Sequence, residues 1–309
     1  MNKDFDIVAL GEAMVEFNQT GAEDGRTYLQ GFGGDTSNAV IAASRQGAKC
    51  AYITRLGDDD FGRLCLNLWR TERVDARGVA IDTDAPTGVY FVRHDESGHS
   101  FSYLRAGSAA SRMRTEDLPT SLLQNTKLLH VSGISQAISA SARHAVRRAI
   151  EIARAAGAAI AYDPNVRLKL WSKAEASETI EATIPLCDHF LPSLDDLQSI
   201  SGLTEPRDVV AWCHGQGAKV VVLKLGRGGV LVSASGRCVD IGAHDVDAID
   251  ATGAGDCFDG SYLGCIAAGA DPVSAARWAN AAAALATTGY GAVDPLPRPA
   301  QIRRLLEGR

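Results

Sequence analysis

The 309-residue chain has little that would staple, anchor or charge it. Its seven cysteines (Cys50, Cys65, Cys187, Cys213, Cys238, Cys257 and Cys265) stand singly, with no Cys-x-x-Cys pair and no histidine at zinc-ligand spacing. Scattered in this way they read as reduced thiols of a cytoplasmic protein, and they leave no structural zinc site. No apolar run approaches the roughly 18 residues of a membrane-spanning helix. The opening Met1 to Asp6 is acidic and leads straight into the strand-like Ile7-Val8-Ala9-Leu10, unlike a signal peptide. Basic excess is missing too: 31 Lys+Arg against 37 Asp+Glu give a net charge of −6, which argues against a nucleic-acid partner. There is no internal repeat, low-complexity segment or long linker. Neither common nucleotide motif is present, since no Gly-x-x-x-x-Gly-Lys-Ser/Thr occurs and Gly253-Ala254-Gly255 comes far too late, with Phe258 where a third glycine belongs.

What remains is an ordinary globular composition, 46% hydrophobic and 22% charged, long enough for one large or two small domains and a core that needs no staples. Short apolar runs ending in Gly, Asp or Pro predict strands over 6–11, 50–57, 127–133, 158–163 and 219–226. Helical patterns lie at 39–46, 141–156, 206–216, 255–268 and 272–287, the last opened by an Asp271-Pro272 cap. That alternation predicts an α/β fold with a largely parallel sheet and ligands at the strand carboxyl ends. Two stretches, 14–32 and 87–103, instead show short alternating segments with a turn at 95–98. They predict a few antiparallel strands projecting from the main sheet, serving as a lid or as a dimerisation sheet.

Three glycine clusters hold the chemistry. In Asp250-Ala251-Thr252-Gly253-Ala254-Gly255-Asp256 a small-residue turn opens a helix, so unpaired N–H groups and the helix dipole converge where a phosphate would bind. A carboxylate there repels what the N–H groups attract. The conflict resolves if Asp256 takes a proton from a hydroxyl that attacks a phosphoryl group held by Gly253, Ala254 and Gly255; the alternative is a plain helix cap. Gly33-Gly34-Asp35-Thr36-Ser37-Asn38 offers close backbone approach and polar groups for sugar hydroxyls, or a capped turn. Lys224-Leu225-Gly226-Arg227-Gly228-Gly229 ends an apolar strand and lines a nucleotide crevice, or turns a hairpin into Val230-Leu231-Val232.

The first and second of these clusters, with Gly57 and Gly62 completing the N-terminal motif, resemble the ribokinase-like (PfkB) sugar kinase family in order and separation, over essentially the whole chain. Within it, Gly11-Glu12-Ala13-Met14, Gly33 to Asn38, Tyr103-x-Arg105-x-Gly107-Ser108-Ala109 and Asp163-Pro164-Asn165-x-Arg167 look like 2-keto-3-deoxygluconate kinases. The resemblance implies a three-layer α/β/α body (1–12, 33–86 and 104–309) with a small β lid (13–32 and 87–103). It also implies ATP and Mg²⁺ as cosubstrates, Entner–Doudoroff-type sugar-acid breakdown, and oligomers that meet through their lids. On the sugar side it implies Gly34, Asp35, Asn38, Tyr90, Tyr103, Arg105, Arg167, Asp256 and Asp294. On the nucleotide side it implies Asn165, Ser193, Lys224, Gly226, Gly228, Gly229, Gly253, Gly255 and Asn280. Physical chemistry favours an acid over a neutral sugar, because guanidinium groups recognise carboxylates bidentately and Arg105 and Arg167 lie at strand ends from which both would close on one; the bland alternative is two surface arginines. Thr36, Val40 and Ala251 depart from the wider family pattern. So does Ser193-Leu194-Asp195-Asp196, which replaces Asn-x-x-Glu and leaves Asp196 to reach a metal only through water. The rival readings are a fructose or ribose kinase, and a non-catalytic sugar or nucleotide sensor, against which the intact Gly-Ala-Gly-Asp turn argues.

Overall fold

The computed structural model describes residues 3–19, 25–95 and 98–308. Met1, Asn2, residues 20–24 of the expected lid stretch, Arg309 and, within the turn expected at 95–98, Glu96 and Ser97 lie outside the described residues. The strands are β1 (Phe5–Leu10), β2 (Met14–Gln19), β3 (Tyr28–Gly33), β4 (Cys50–Gly57), β5 (Val74–Asp82), β6 (Gly88–Asp95), β7 (Gly98–Leu104), β8 (Thr126–Ser132), β9 (Ala159–Asp163), β10 (His189–Phe190), β11 (Val220–Lys224), β12 (Val230–Ala234) and β13 (Arg237–Ile241). Nine form one sheet in the order β13-β12-β11-β10-β9-β8-β1-β4-β5. Every pairing from β11 to β5 is parallel, and only the β11-β12-β13 hairpins run antiparallel.

The central strands are buried on both faces, which is why β1, β4 and β8 read as apolar runs and not as alternating patterns. One face packs under the Ala140–Ala155 helix, whose Ala145, Val146, Ala149, Ile150 and Ala153 point inward while Arg147, Arg148 and Arg154 face water. The opposite face packs under Asp35–Arg45, Ala254–Ala267 and Pro272–Ala286 through Val40, Ile41, Cys257, Phe258, Tyr262 and Ala279. The result is the ribokinase-like three-layer α/β/α body.

The 14–32 and 87–103 stretches correct one expectation. Their described residues form a separate four-stranded sheet, order β3-β2-β6-β7, and its central pair β2–β6 is parallel. Between these two strands the chain passes through β4 and β5 of the main sheet, and a return by so long a crossover permits parallel pairing that a tight hairpin forbids. The third glycine cluster makes the β11–β12 turn, where Gly229 (φ 88°) is pressed against the Ile241 carbonyl and a Cβ would sit 2.1 Å from it.

One contact governs where the site residues fall. The Ala254–Ala267 helix crosses Asp35–Arg45 so closely that a Cβ at Gly260 would lie 1.9 Å from the Ala39 carbonyl oxygen and 2.8 Å from the Ala42 Cβ. Gly260→Ala removes a flexible residue from a helix interior, a gain of about 1 kcal/mol where space allows. Here overpacking against backbone dominates, and we expect a net loss of about 1–3 kcal/mol in urea unfolding. A stabilised variant would show that the helices are free to part.

Candidate active site

The crossing brings two helix N-termini face to face. Gly34 opens one, at φ 112°, where a Cβ would strike the Glu12 carbonyl at 2.3 Å, so only glycine lets the turn lie against β1 and β2. Gly253, at φ 73°, opens the other and packs against Ala292, 2.7 Å from where its Cβ would be. Asp256 is therefore the third residue of its helix, not the cap. Its carboxylate accepts a hydrogen bond from Asn38 Nδ2 at 2.8 Å across the crossing. Burial, and then the neighbouring Asp35 carboxylate, push its pKa up to about 7, against the pull of that bond. A carboxyl balanced near neutrality, with one oxygen held and the side chain only partly covered, is suited to accept a proton.

The anion hole differs in one member from expectation. Ala254 N–H already donates to Ala251 O at 3.2 Å, closing the turn. Among the described residues the N–H groups of Gly253, Gly255 and Asp256 have no protein acceptor, and they form the positive end of the helix.

Asp35 is buried beside this centre and accepts from Thr36 N–H at 2.8 Å and from Asn165 Nδ2 at 3.3 Å. Asn165 reaches it from a left-handed conformation (φ 34°) that its own N–H stabilises by donating to Asp163 Oδ1 at 3.0 Å. Lys224, expected to face a nucleotide, is turned inward instead. Its Nζ donates to Asp163 at 2.9 Å and to both oxygens of Asp259 at 3.0 and 3.2 Å. Two acids within reach offset the desolvation of that ammonium.

The second sheet supplies the opposite wall. Tyr90, for which Gly33 leaves room, donates its hydroxyl to Glu16 Oε2 at 2.5 Å and stacks on Tyr103 with ring centroids 5.6 Å apart. Burial raises the Glu16 pKa to about 7. The Arg105 guanidinium lies 5.6 Å from the Tyr103 centroid and is paired with buried Glu12, whose other oxygen accepts from Ser108 Oγ at 2.6 Å. Arg167 is half exposed, with Asp196 at 3.8 Å. Burial of Tyr103 raises its pKa while Arg167 and Arg105 both pull it down, so the two guanidinium groups act on one phenol.

The remaining predicted residues are more peripheral. Ser193 caps the Leu194–Ser201 helix by accepting from Asp196 N–H at 3.1 Å, and burial raises the Asp196 carboxyl to about 6. Asn280 donates to the Gly242 carbonyl at 2.8 Å beside the β13 end, and Asp294 is exposed. Gly226 and Gly228 are exposed in the hairpin turn. Among the described residues no three acids, cysteines or histidines converge as a metal cage. Sequence reasoning missed Asp259 and Glu16, because a carboxylate inside a helix or on an alternating strand looks like a solvated polar position until packing buries it.

A carboxyl of raised pKa beside helix N–H groups that lack a protein acceptor, at the strand ends of an α/β sheet, suits phosphoryl transfer. Residues 4–299 match the pfkB family carbohydrate kinase profile, and the chain belongs to that family. A 2-dehydro-3-deoxygluconokinase of Thermoproteus tenax is 34% identical over 97% of this chain and 94% of its own length. Fructokinase-1 of Zea mays is 33% identical over 97% of each chain. An Escherichia coli protein described as a ribokinase II, solved with ATP and Mg²⁺, superposes with a TM-score of 0.90 at 25% identity over 99% of this chain and 100% of that one. The protein is a carbohydrate kinase, and its relatives divide over the sugar.

A raised carboxyl pKa has a sign in stability. Between the ordinary value of 3.8 and about 7 the folded chain retains a proton on Asp256 that the unfolded chain has released, so this group's contribution declines as pH rises through that window. Asp256→Asn abolishes the titration. Relative to wild type, the variant should gain stability between pH 5 and pH 8 in urea unfolding of the ligand-free protein. A wild-type-to-variant difference independent of pH would place the Asp256 pKa in the ordinary range.

Proposed function

We propose that this kinase transfers the terminal phosphoryl group of ATP to the 6-hydroxyl of 2-keto-3-deoxygluconate. The reading rests on one observation, the order of charge along the stacked tyrosines. At one end Tyr90 donates to the acid Glu16, with Asp256 a lesser negative neighbour, and at the other the Arg105 guanidinium lies 5.6 Å from the Tyr103 ring centroid and Arg167 also acts on that phenol. A ligand lying along that stack would present a hydroxyl to the base and a carboxylate to the guanidinium pair, which is the polarity of a sugar acid and not of fructose.

In this mechanism Asp256 accepts the hydroxyl proton as the sugar oxygen forms its bond to phosphorus, and the bond from that phosphorus to the β-phosphate oxygen breaks to release ADP. Asn38 holds one Asp256 oxygen and leaves the other for the proton. The N–H groups of Gly253, Gly255 and Asp256 stabilise charge on the transferring oxygens. The donor set fits a polyphosphate, and Mg²⁺ bound with the nucleotide would neutralise charge there. Asp196 is the protein oxygen suited to hold its water. The second sheet serves as a lid that excludes water from the phosphoryl group, and the strongly exposed Leu29 and Leu104 on it suit pairing of two lids in a cytoplasmic oligomer. A fructokinase is the competing reading, carried by the plant relatives.

ADP release measured with 2-keto-3-deoxygluconate, fructose and ribose decides the substrate, and turnover confined to neutral sugars would overturn the acid reading. Asp256→Asn should lower kcat by about 10²–10⁴ while sugar binding persists. Arg167→Met is a cleaner probe than Arg105→Met, because removing Arg105 strands the buried Glu12 charge at a cost of about 3–5 kcal/mol. We expect Arg167→Met to weaken sugar-acid binding by about 2–4 kcal/mol and to leave neutral-sugar binding nearly unchanged. Equal losses for both would make Arg167 a structural residue.

A further inference from the structure

Beneath the catalytic turn lies a charge cluster that the mechanism above does not use. Lys224, at the end of β11, contacts two buried acids, Asp163 at the end of β9 and Asp259 one helical turn beyond Asp256. The three side chains come from three elements and meet within 2.9–3.2 Å. The ammonium also approaches the anion hole from below, 3.8 Å from where a Cβ would stand on Gly255. Four aspartates thus crowd one floor, Asp35, Asp163, Asp256 and Asp259, in a site that must accept further negative charge.

We propose that Asp163 and Asp259 fix the Lys224 ammonium as a counter-charge beneath the Gly255 turn, making Lys224 a positioning residue that eases negative charge at Asp256. This rests on the reading of Asp256 as the base. The groups facing Asp256 are Asp35 and Asn38 from the Asp35–Arg45 helix, Asp163 from β9, Lys224 from β11 and Tyr90 from β6, with Cys257 and Asp259 on its own helix. Lys224 is the one cation of that set. Burial works against the Lys224 charge, but its two carboxylates outweigh burial and keep it protonated. Within the pair, Lys224 holds Asp163 ionised against burial, while burial keeps a proton on Asp259. One ammonium then faces one full negative charge, and the proton on Asp259 lets the second carboxyl share the site.

The charges predict a pattern that a purely structural lysine would not produce. Carboxyl titration by NMR of the ligand-free protein carrying ¹³C-labelled aspartate follows Asp256 directly, its signal identified by its loss in Asp256→Asn. Lys224→Met removes the counter-charge and should move the Asp256 midpoint up from about 7. Asp163→Asn keeps the oxygen that accepts Asn165 N–H but removes a negative charge, and should move it down. Each shift should be about half a pH unit or more. Asp259→Asn and the charge-neutral double variant Lys224→Met/Asp163→Asn should stay near wild type, and the acid limb of kcat/KM should follow the same order. Should Lys224→Met fail to fold, Asp163→Asn and the double variant carry the test. An unmoved midpoint in folded Asp163→Asn, or a displaced one in the double variant, overturns the proposal. Failure of the base assignment is a different result, near-normal turnover in Asp256→Asn.

Discussion

The site depends on the crossing of two helices at Gly260. A helix N-terminus is a weak anion site in water, and a glycine-rich turn alone is only a turn. Here the Ala254–Ala267 helix lies with backbone nearly touching backbone on Asp35–Arg45, so their first turns meet and Asn38 reaches Asp256. Any side chain at Gly260 would spread the helices and lengthen that hydrogen bond. Hydrophobic packing of Val40, Ile41, Phe258 and Tyr262 supplies the force for the approach, and the absent side chain sets its limit.

That approach concentrates negative charge. Asp35, Asp163, Asp256 and Asp259 are drawn into a volume with little water, where isolated carboxylates would each cost several kcal/mol, roughly the margin on which a whole fold rests. The structure offsets this in three ways. Asn38, Asn165 and the Thr36 N–H donate hydrogen bonds, Lys224 supplies a charge, and the Asp256 carboxyl, its pKa raised to about 7, is only partly ionised near neutral pH. A pKa near neutrality is also what the proposed base would need, so the electrostatic cost of building the site and that capacity would have one origin.

Much of this was legible in the sequence, for physical reasons. Buried parallel strands must be apolar throughout, so β1, β4, β8, β9 and β11 announced themselves within a residue or two, and the Asp271-Pro272 signal marked its helix start, where Asp271 accepts from the Val273 and Ser274 N–H groups. Gly34 and Gly253 stood out because each occupies a conformation or a contact that only glycine tolerates. The pairing of the second sheet was not legible, since alternation reports that a strand is half-buried and not the direction of its neighbour. Nor were the partners of Lys224 and Arg105. A charged side chain at a strand end looks the same in sequence whether it faces a ligand or a buried acid, and the acids lie 35 to 93 positions away.

The two arginines show why that distinction matters for specificity. Arg105 is nearly buried and tied to Glu12, so its guanidinium is fixed before any ligand binds and its loss would damage the wall itself. Arg167 is half exposed and its acid partner stands 3.8 Å away, a separation at which a solvated pair contributes little. A ligand carboxylate displacing Asp196 would therefore exchange a weak partner for a strong one at Arg167 while meeting a rigid charge at Arg105. On the sugar-acid reading proposed above, the fixed residue would give direction and the loosely held one affinity, and a neutral sugar would engage neither.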